Sequence, residues 1–262
     1  MDIKQMRELG HDACIKGDYI EAVKWLKKAA EEGDAYSQTD LGTLYLVGNG
    51  VDQDYKEAFK WLEKAAEQGQ VVAQCNLGLM YSKGEGVTQN YKEAAKWYTK
   101  AAEQGDSVAQ FNLGLMYDNG DKIEQDYKEA IKWYAKAAEQ GDVDAQINIG
   151  YMYECGHGIE QDYKKAYAWY KLAVKQGDPT AQFNIGDLYY YGHGVAQDYE
   201  QAFKWYMKAA KQGDADAQYN VGNHYYGKKD YGKAVEWYTK AAEQGHYAAQ
   251  QDLKKALEKL KK

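Results

Sequence analysis

Residues Val71–Gly105 read VVAQCNLGLMYSKGEGVTQNYKEAAKWYTKAAEQG. Ala73, Leu77, Met80 and Tyr81 fall at i, i+4, i+7 and i+8, which is one apolar stripe of a helix. Gly84-Glu85-Gly86 interrupts that stripe. Asn90 then precedes Tyr91-Lys92-Glu93, an N-cap followed three positions later by an acidic residue, the pattern of a capping box. The same box is expected at Asp18/Glu21, Asp54/Glu57 and Asp126/Glu129. Ala94, Trp97, Tyr98, Ala101 and Ala102 form a second stripe, and Gly105 stands where a left-handed C-terminal cap is needed. The segment therefore predicts helix A, a short loop and helix B. Gly78, lacking a side chain, lets helix B approach closely, and Ala101 and Ala102 are the expected reciprocal surface.

The pattern recurs along the chain. Trp residues stand at 25, 61, 97, 133, 169, 205 and 237, spaced by 36 residues five times and then by 32. Gly42, Gly78, Gly114, Gly150, Gly186 and Gly222 keep the same register, and a Tyr follows each of them three residues on. A fixed period of this size marks a repeat array in which each unit packs on its neighbours. Seven helix pairs are expected, followed by a single helix from Ala248 to Lys262 that caps the end, its terminal lysines suiting the negative end of the helix dipole. No linker or shift of composition interrupts the array, so residues 1–262 are expected to form one domain.

Composition limits the function. With 45% hydrophobic residues the chain has enough apolar surface to bury, unlike a disordered polymer. The net charge of −7 argues against a nucleic-acid partner, because phosphate would be repelled. Mean hydropathy is −0.81, and no apolar run approaches the roughly 20 residues of a membrane helix. A single proline, Pro179, against 26 glycines fits helices closed by Gly caps.

With these residues in hand, the chain resembles the Sel-one-like repeat family, a branch of the tetratricopeptide-like α/α solenoids. The shared pattern, AQ-x-NLG-x-MY-x-x-G-x-G-V-x-x-x-Y-x-x-A-x-x-W-Y-x-KAAEQG, stands nearly unaltered in Ala73–Gly105 and Ala109–Gly141. The first and last units depart from it, with the shorter loops Lys16-Gly17-Asp18-Tyr19 and Lys228-Lys229-Asp230-Tyr231. In the third loop Lys122 replaces the second Gly of G-x-G, where a positive φ would strain it by roughly 1–2 kcal/mol. The resemblance implies an all-α, right-handed superhelical solenoid whose inner face is lined by A helices. It also implies an adaptor or scaffold role without catalysis.

Positions that vary between units are the informative ones for a partner. By analogy with tetratricopeptides, the inward set on helix A is i, i+3, i+7 and i+10. The first position runs Tyr36, Val72, Val108, Asp144, Thr180, Asp216, and the second Thr39, Cys75, Phe111, Ile147, Phe183, Tyr219. The third runs Thr43, Leu79, Leu115, Tyr151, Asp187, Asn223, and the fourth Leu46, Ser82, Asp118, Glu154, Tyr190, Tyr226. This wall passes from apolar to Tyr-rich and acidic. Beside it runs a near-constant amide: Asp40 at the start, then Asn76, Asn112, Asn148, Asn184 and Asn220. Mid-helix Asn is mildly unfavourable, so its recurrence asks for a reason. One reading is a ladder of donors and acceptors for the backbone of an extended peptide; the other is a helix-to-helix bond that keeps units in register. The recurring Gln38, Gln74, Gln110, Gln146, Gln182 and Gln218 are read as structural. The tyrosines offer rigid amphipathic contact area, and their alternative role is packing on one another. The expected site is a groove from Phe111 to Tyr226 for a protein or peptide segment bearing Lys or Arg in its C-terminal half, opposite Asp144, Glu154, Asp187 and Asp216.

Signatures of chemistry are missing. The G-x-G loops follow a helix rather than a strand, and no G-x-x-x-x-G-K-[ST] occurs, so a phosphate-binding loop is not expected. His157 and His193 sit one period apart in loop slots that hold Asn49 and Glu85 elsewhere, so no metal site is assigned. Cys14, Cys75 and Cys155 occupy three different repeat positions, which points to free thiols and a reducing compartment. The expectation is thus a non-catalytic, cofactor-free, monomeric scaffold that does not insert into membranes. A cytoplasmic location is expected because the N-terminus lacks an apolar signal core, with a periplasmic or secreted location if a signal peptide has been removed. The competing readings are an enzyme or enzyme subunit, such as a cell-envelope hydrolase, and a secreted host-interaction factor.

Overall fold

A computed structural model describes residues 1–120 and 123–261 of the chain. Every regular element among them is a helix. They divide into two compact units, Met1–Gln140 and Gly141–Lys262. In the first unit the A helices are α1 (Ile3–Lys16), α3 (Ala35–Val47), α5 (Val71–Lys83) and α7 (Ser107–Asn119). They alternate with the B helices α2 (Tyr19–Glu31), α4 (Tyr55–Glu67), α6 (Tyr91–Glu103) and α8 (Tyr127–Glu139). The second unit continues with A helices α9 (Val143–Cys155), α11 (Pro179–Tyr191) and α13 (Ala215–Gly227). Its B helices are α10 (Tyr163–Lys175), α12 (Tyr199–Lys211) and α14 (Tyr231–Glu243), and α15 (Tyr247–Leu260) closes the series. The seven pairs and the single last helix match the periodicity of the sequence, and the fold is an all-α repeat of stacked helix pairs.

Local chemistry explains each boundary. Asn90 accepts from the backbone N–H of Lys92 and Glu93 at 3.1 and 3.2 Å, satisfying donors that the first helical turn leaves free. Among the described residues, the reciprocal half of the capping box forms only at α1, between Asp2 and Gln5. At Asp54, Asn90 and Asp126 the cap's own N–H is instead taken by the carbonyl of Tyr45, Tyr81 and Tyr117 at the end of the preceding helix. The expected boxes at these positions are therefore one-sided, and their acidic residues turn outward. Glu57, Glu93 and Glu129 pair with Lys60, Lys96 and Lys132.

The loop glycines are conformational requirements. Gly84 and Gly86 have φ of 75° and 71°, and a Cβ on Gly86 would strike the backbone of Tyr55 in the preceding B helix. Lys122, the residue expected to be strained, lies outside the described residues. Left-handed strain on a side-chain-bearing residue falls instead on Lys229, at φ 63° in the shortened last loop, where the first loop has Gly17.

The close approach at the helix-A glycine has a partner other than the one expected. An added Cβ on Gly78 would lie 2.5 Å from the ring of Tyr98, and Gly114 stands in the same relation to Tyr134. Gly150, Gly186 and Gly222 repeat this contact with Tyr170, Tyr206 and Tyr238. The missing side chain thus houses a buried tyrosine ring of the same pair. Ala101 and Ala102 pack toward the next A helix, in one cluster with Ala109 and Leu113. Trp97 closes the seam on the other side, sharing a core with Ala58 and Leu62 of α4 and Leu77 and Met80 of α5. Apolar burial, at about 25 cal/mol per Å², is thereby shared between successive pairs rather than enclosed within one.

Candidate functional site

The two recurring amides of helix A have different environments. All six glutamines, from Gln38 to Gln218, are buried. Gln74 donates to the carbonyl of Ala66 at 3.1 Å, and its Oε1 accepts from Gln104 at 2.8 Å. Gln104 also donates to the carbonyl of Gly69. One polar cluster thus joins the end of a B helix, the next A helix and the following B helix. It recurs at Gln110 with Gln140 and Ala102, and in the second unit at Gln218 with Gln244 and Ala210. Gln146 and Gln182 accept from Gln176 and Gln212 in the same way.

The asparagines are half-buried, and Asn112 bonds only to the carbonyl of Val108, one turn back on its own helix. The side chains of Asn76, Asn148, Asn184 and Asn220 make no hydrogen bond to any described residue. The bonds between helix pairs are made by glutamine, and the amides of Asn76, Asn148, Asn184 and Asn220 remain open to solvent.

The expected site residues in the first unit occupy one face of α7. Phe111 is half-buried, with its ring centroid 5.8 Å from that of Tyr134. Leu115 and Asn112 line a cleft of about 230 Å³ with Ser82 and Tyr98. Asp118 accepts from the Tyr134 hydroxyl at 3.2 Å.

In the second unit, Asp144 is exposed and Ile147 packs against the core that contains Tyr170 and Ile185. Asn148 of α9 and Asn184 of α11 are half-buried. Tyr151 and Tyr190 are exposed, at 52% and 44%. Phe183 meets Tyr206 in a tilted contact, with ring centroids 5.6 Å apart. Tyr219 is engaged with the last helix, donating to Asp252 at 3.0 Å and stacking on His246 at 4.6 Å. Tyr226 packs beside Tyr231 and Tyr238.

Like Asp118 in the first unit, three of the variable polar residues in the second have a structural partner that their spacing did not disclose. The buried B-helix tyrosines donate to them: Tyr170 to Glu154 at 2.7 Å, Tyr206 to Asp187 at 2.6 Å, and Tyr238 to Asn223 at 2.7 Å. Burial raises Asp187 from the usual carboxylate range to about 6, only partly offset by the Tyr206 hydrogen bond, while Glu154, Asp216 and Asp214 push it the same way. Partial desolvation of its carboxyl, with Asp142 and Asp178 nearby, also raises the otherwise exposed Asp144.

Asp187 opens into a cavity of about 330 Å³. Tyr190 and Tyr191 of α11 form one side, and Tyr199, Phe203 and Tyr206 of α12 another. Asn220, Asn223 and His224 of α13 complete it. Of these, Tyr191, Tyr199, Phe203, Tyr206 and His224 were not among the expected site residues. Their signal was nonetheless available: position 191 holds Val, Lys, Asn and Cys in other units, and position 203 varies between Phe, Ala, Ile and Tyr. Variation on helix B, at residues facing the next A helix, is as informative as variation on helix A.

The remaining candidates for chemistry are placed apart. His193 is stacked between Tyr163 and Tyr191, and His157 lies against Tyr151. Among the described residues, no group of three or more His, Cys, Asp or Glu could hold a metal ion, and no helix is long and apolar enough to cross a membrane. The three cysteines are free, and burial raises Cys75 to about 12, which keeps it a thiol at neutral pH.

The Sel1 repeat model matches seven consecutive segments, residues 5–34, 35–70, 71–106, 107–142, 143–178, 179–214 and 215–246. Among solved structures, the chain is similar to a protective antigen of uropathogenic Escherichia coli that displays the SLR fold, with 38% identity and a TM-score of 0.88. That match covers 96% of this chain and 56% of the antigen, so the chain spans little more than half of it. It is also similar to a Sel1 repeat protein of Oxalobacter formigenes, with 36% identity, a TM-score of 0.81, and coverage of 96% and 75% of the two chains. Comparison with functionally curated proteins returned no match.

Proposed function

We propose, from the premise that this chain belongs to the Sel1 repeat family, that it is a non-catalytic scaffold that holds a protein or peptide segment against its A helices. Proteins of this family are in general interaction scaffolds. The observation that carries the finer reading is the division of labour between the two amides. Buried glutamines account for the joints between helix pairs. In the parallel asparagine series none makes a bond between helices, Asn112 bonding only within its own helix, and all stay half-exposed. Asn148, Asn184 and Asn220 each offer two donors and an acceptor, enough for a peptide group. Around them stand the exposed rings of Tyr151 and Tyr190, the contact type enriched at interfaces. Asp144, Asp187, Glu154 and Asp216 make the second unit's face acidic, so the segment that fits it carries Lys or Arg.

The test is selection of peptides from a displayed random library against the full chain. Affinities of the selected peptides are then measured on the variant Y151A/Y190A. Both rings are largely exposed, so the variant is expected to stay folded. The proposal expects enrichment of basic peptides and at least a tenfold loss of affinity on the variant. Unchanged affinity in a folded variant would refute it.

A further inference from the structure

We propose that the cavity between α11, α12 and α13 is a receptor for a single organic cation, the guanidinium or ammonium head of an arginine or lysine side chain. The proposal rests on the preceding reading for the source of that cation, and on the cavity itself for the chemistry.

Three observations converge on a cation. First, the volume of about 330 Å³ sits at the lower end of ligand pockets, suited to one side-chain head rather than a folded surface. Second, the walls are aromatic. Tyr190 and Tyr199 meet edge to face, with centroids 5.2 Å apart, and Tyr191 meets Tyr190 at 5.0 Å. A cation within about 6 Å of such ring faces is attracted by their quadrupoles. Third, the carboxylate is held and left uncompensated. Tyr206 fixes Oδ1 of Asp187 at 2.6 Å, and Oδ2 accepts no hydrogen bond from any described residue. No described lysine or arginine pairs with it.

The surrounding charges make the need sharper. Facing Asp187 are Glu154 of α9, the hydroxyl of Tyr206 on α12, and Asp214 and Asp216 at the start of α13. His224 of α13 lines the same cavity, stacked on Phe203 at 3.8 Å, and burial and Lys228 lower its pKa, which keeps it neutral near pH 7. A half-buried anion ringed by further anions and by aromatic faces is relieved either by taking up a proton or, where it stays ionised, by a positive charge. Asn220 and Asn223 also line the cavity; Oδ1 of Asn223 is held by Tyr238, and the Asn220 amide is available for the backbone that carries the head group.

The carboxyl must be ionised to serve. With Asp187 near 6, about one-tenth of it is ionised at pH 5, so affinity for a cation should be roughly tenfold weaker at pH 5 than at pH 7.5.

The experiment is an NMR titration of the full chain with N-acetyl-arginine methylamide, N-acetyl-lysine methylamide and the neutral isostere N-acetyl-citrulline methylamide. Either charged amide should saturate resonances of α11 to α13, and the two together decide which head group is preferred. Citrulline should bind at least tenfold more weakly. Asp187→Asn keeps the acceptor for Tyr206 and removes the charge, so it should lose the charged amide tenfold or more while leaving the fold intact. Tyr199→Leu should lose affinity several-fold. Equal binding of citrulline, undiminished binding by D187N, or no saturation by either charged amide would overturn the proposal. Its failure is distinguishable from that of the broader function. Selected peptides whose affinity is indifferent to D187N would sink the receptor and spare the scaffold. Saturation by the amides, with no peptide selected from the library, would do the reverse.

Discussion

Replacing Gln74 by Ala, beside a control replacement of Asn76 by Ala, separates the structural amide from the open one. Gln74 is 4% exposed, and its side chain makes two hydrogen bonds, to Ala66 and from Gln104. Each contributes about 1 kcal/mol net. Truncation also unburies the equivalent of two methylenes at about 0.8 kcal/mol each. Alanine's better helix propensity returns a few tenths. The carbonyl of Ala66 keeps a bond from the N–H of Gly69, and Gln104 keeps its bond to Gly69, so neither is stranded. The loss should therefore be about 3 kcal/mol. Asn76 makes no bond to lose, and alanine is the better helix former, so N76A should be neutral or gain up to about 0.5 kcal/mol. Urea unfolding of both variants, followed by far-ultraviolet circular dichroism and tryptophan fluorescence, measures the difference. Because repeat arrays need not unfold as one cooperative unit, any resolved transition is assigned before the comparison, which is made on the one that contains the mutated pair. The reasoning is refuted if N76A costs as much as Q74A, which would make asparagine the register bond.

Three further expectations follow from single geometric facts. Gly150→Ala would place a Cβ 2.6 Å from the ring of Tyr170, which is fully buried and anchored to Glu154, so overpacking should outweigh the helix propensity gained and cost about 2 kcal/mol in thermal or urea unfolding. Lys229→Gly should stabilise by about 1 kcal/mol, since φ of 63° strains a side-chain-bearing residue more than it costs a glycine in chain entropy; a lower melting temperature would contradict it. Asp187 has its folded pKa raised, so the folded state holds its proton more tightly than the unfolded chain, and the stability present below pH 4 is lost as pH rises through about 6. Allowing for solvent screening of a half-buried group, D187N should gain about 1 kcal/mol over the parent at pH 7.5 and nothing at pH 3.5, read from melting temperatures at the two pH values.

The helix pairs, their number and their boundaries were legible in the sequence because the 36-residue period repeats the same stripe, break and cap. Even the single last helix could be read from the spacing of Leu253, Ala256 and Leu257. What the spacing hid were contacts between stripes. The Tyr98 position, Leu in the first two pairs and Tyr in the other five, is as regularly apolar as Ala101, and nothing in a one-dimensional pattern says which of them fills the space above Gly78. The capping boxes were half right for a similar reason: Asn90 has two possible partners for its N–H, Glu93 and the carbonyl of Tyr81, and only the loop's path decides between them. The same blindness applies to the site. Asp187, Glu154 and Asn223 read as free partner-facing groups, yet each holds a buried tyrosine hydroxyl, because a residue at a variable position can still touch a recurring one. The cavity walls contributed by α12 were missed because variation was sought on helix A alone.

The central claim is that glutamine secures the joints and so leaves the A-helix face of the second unit free for a partner. It is tested most directly by mapping amide shift changes on the isotope-labelled chain as a selected basic peptide is added. Changes concentrated on α9, α11 and α13, around Asn148, Asn184 and Asn220, are the result expected. Changes confined to the solvent-facing lysine rows of α10, α12 and α14, with the asparagine side-chain amides unmoved, would contradict it.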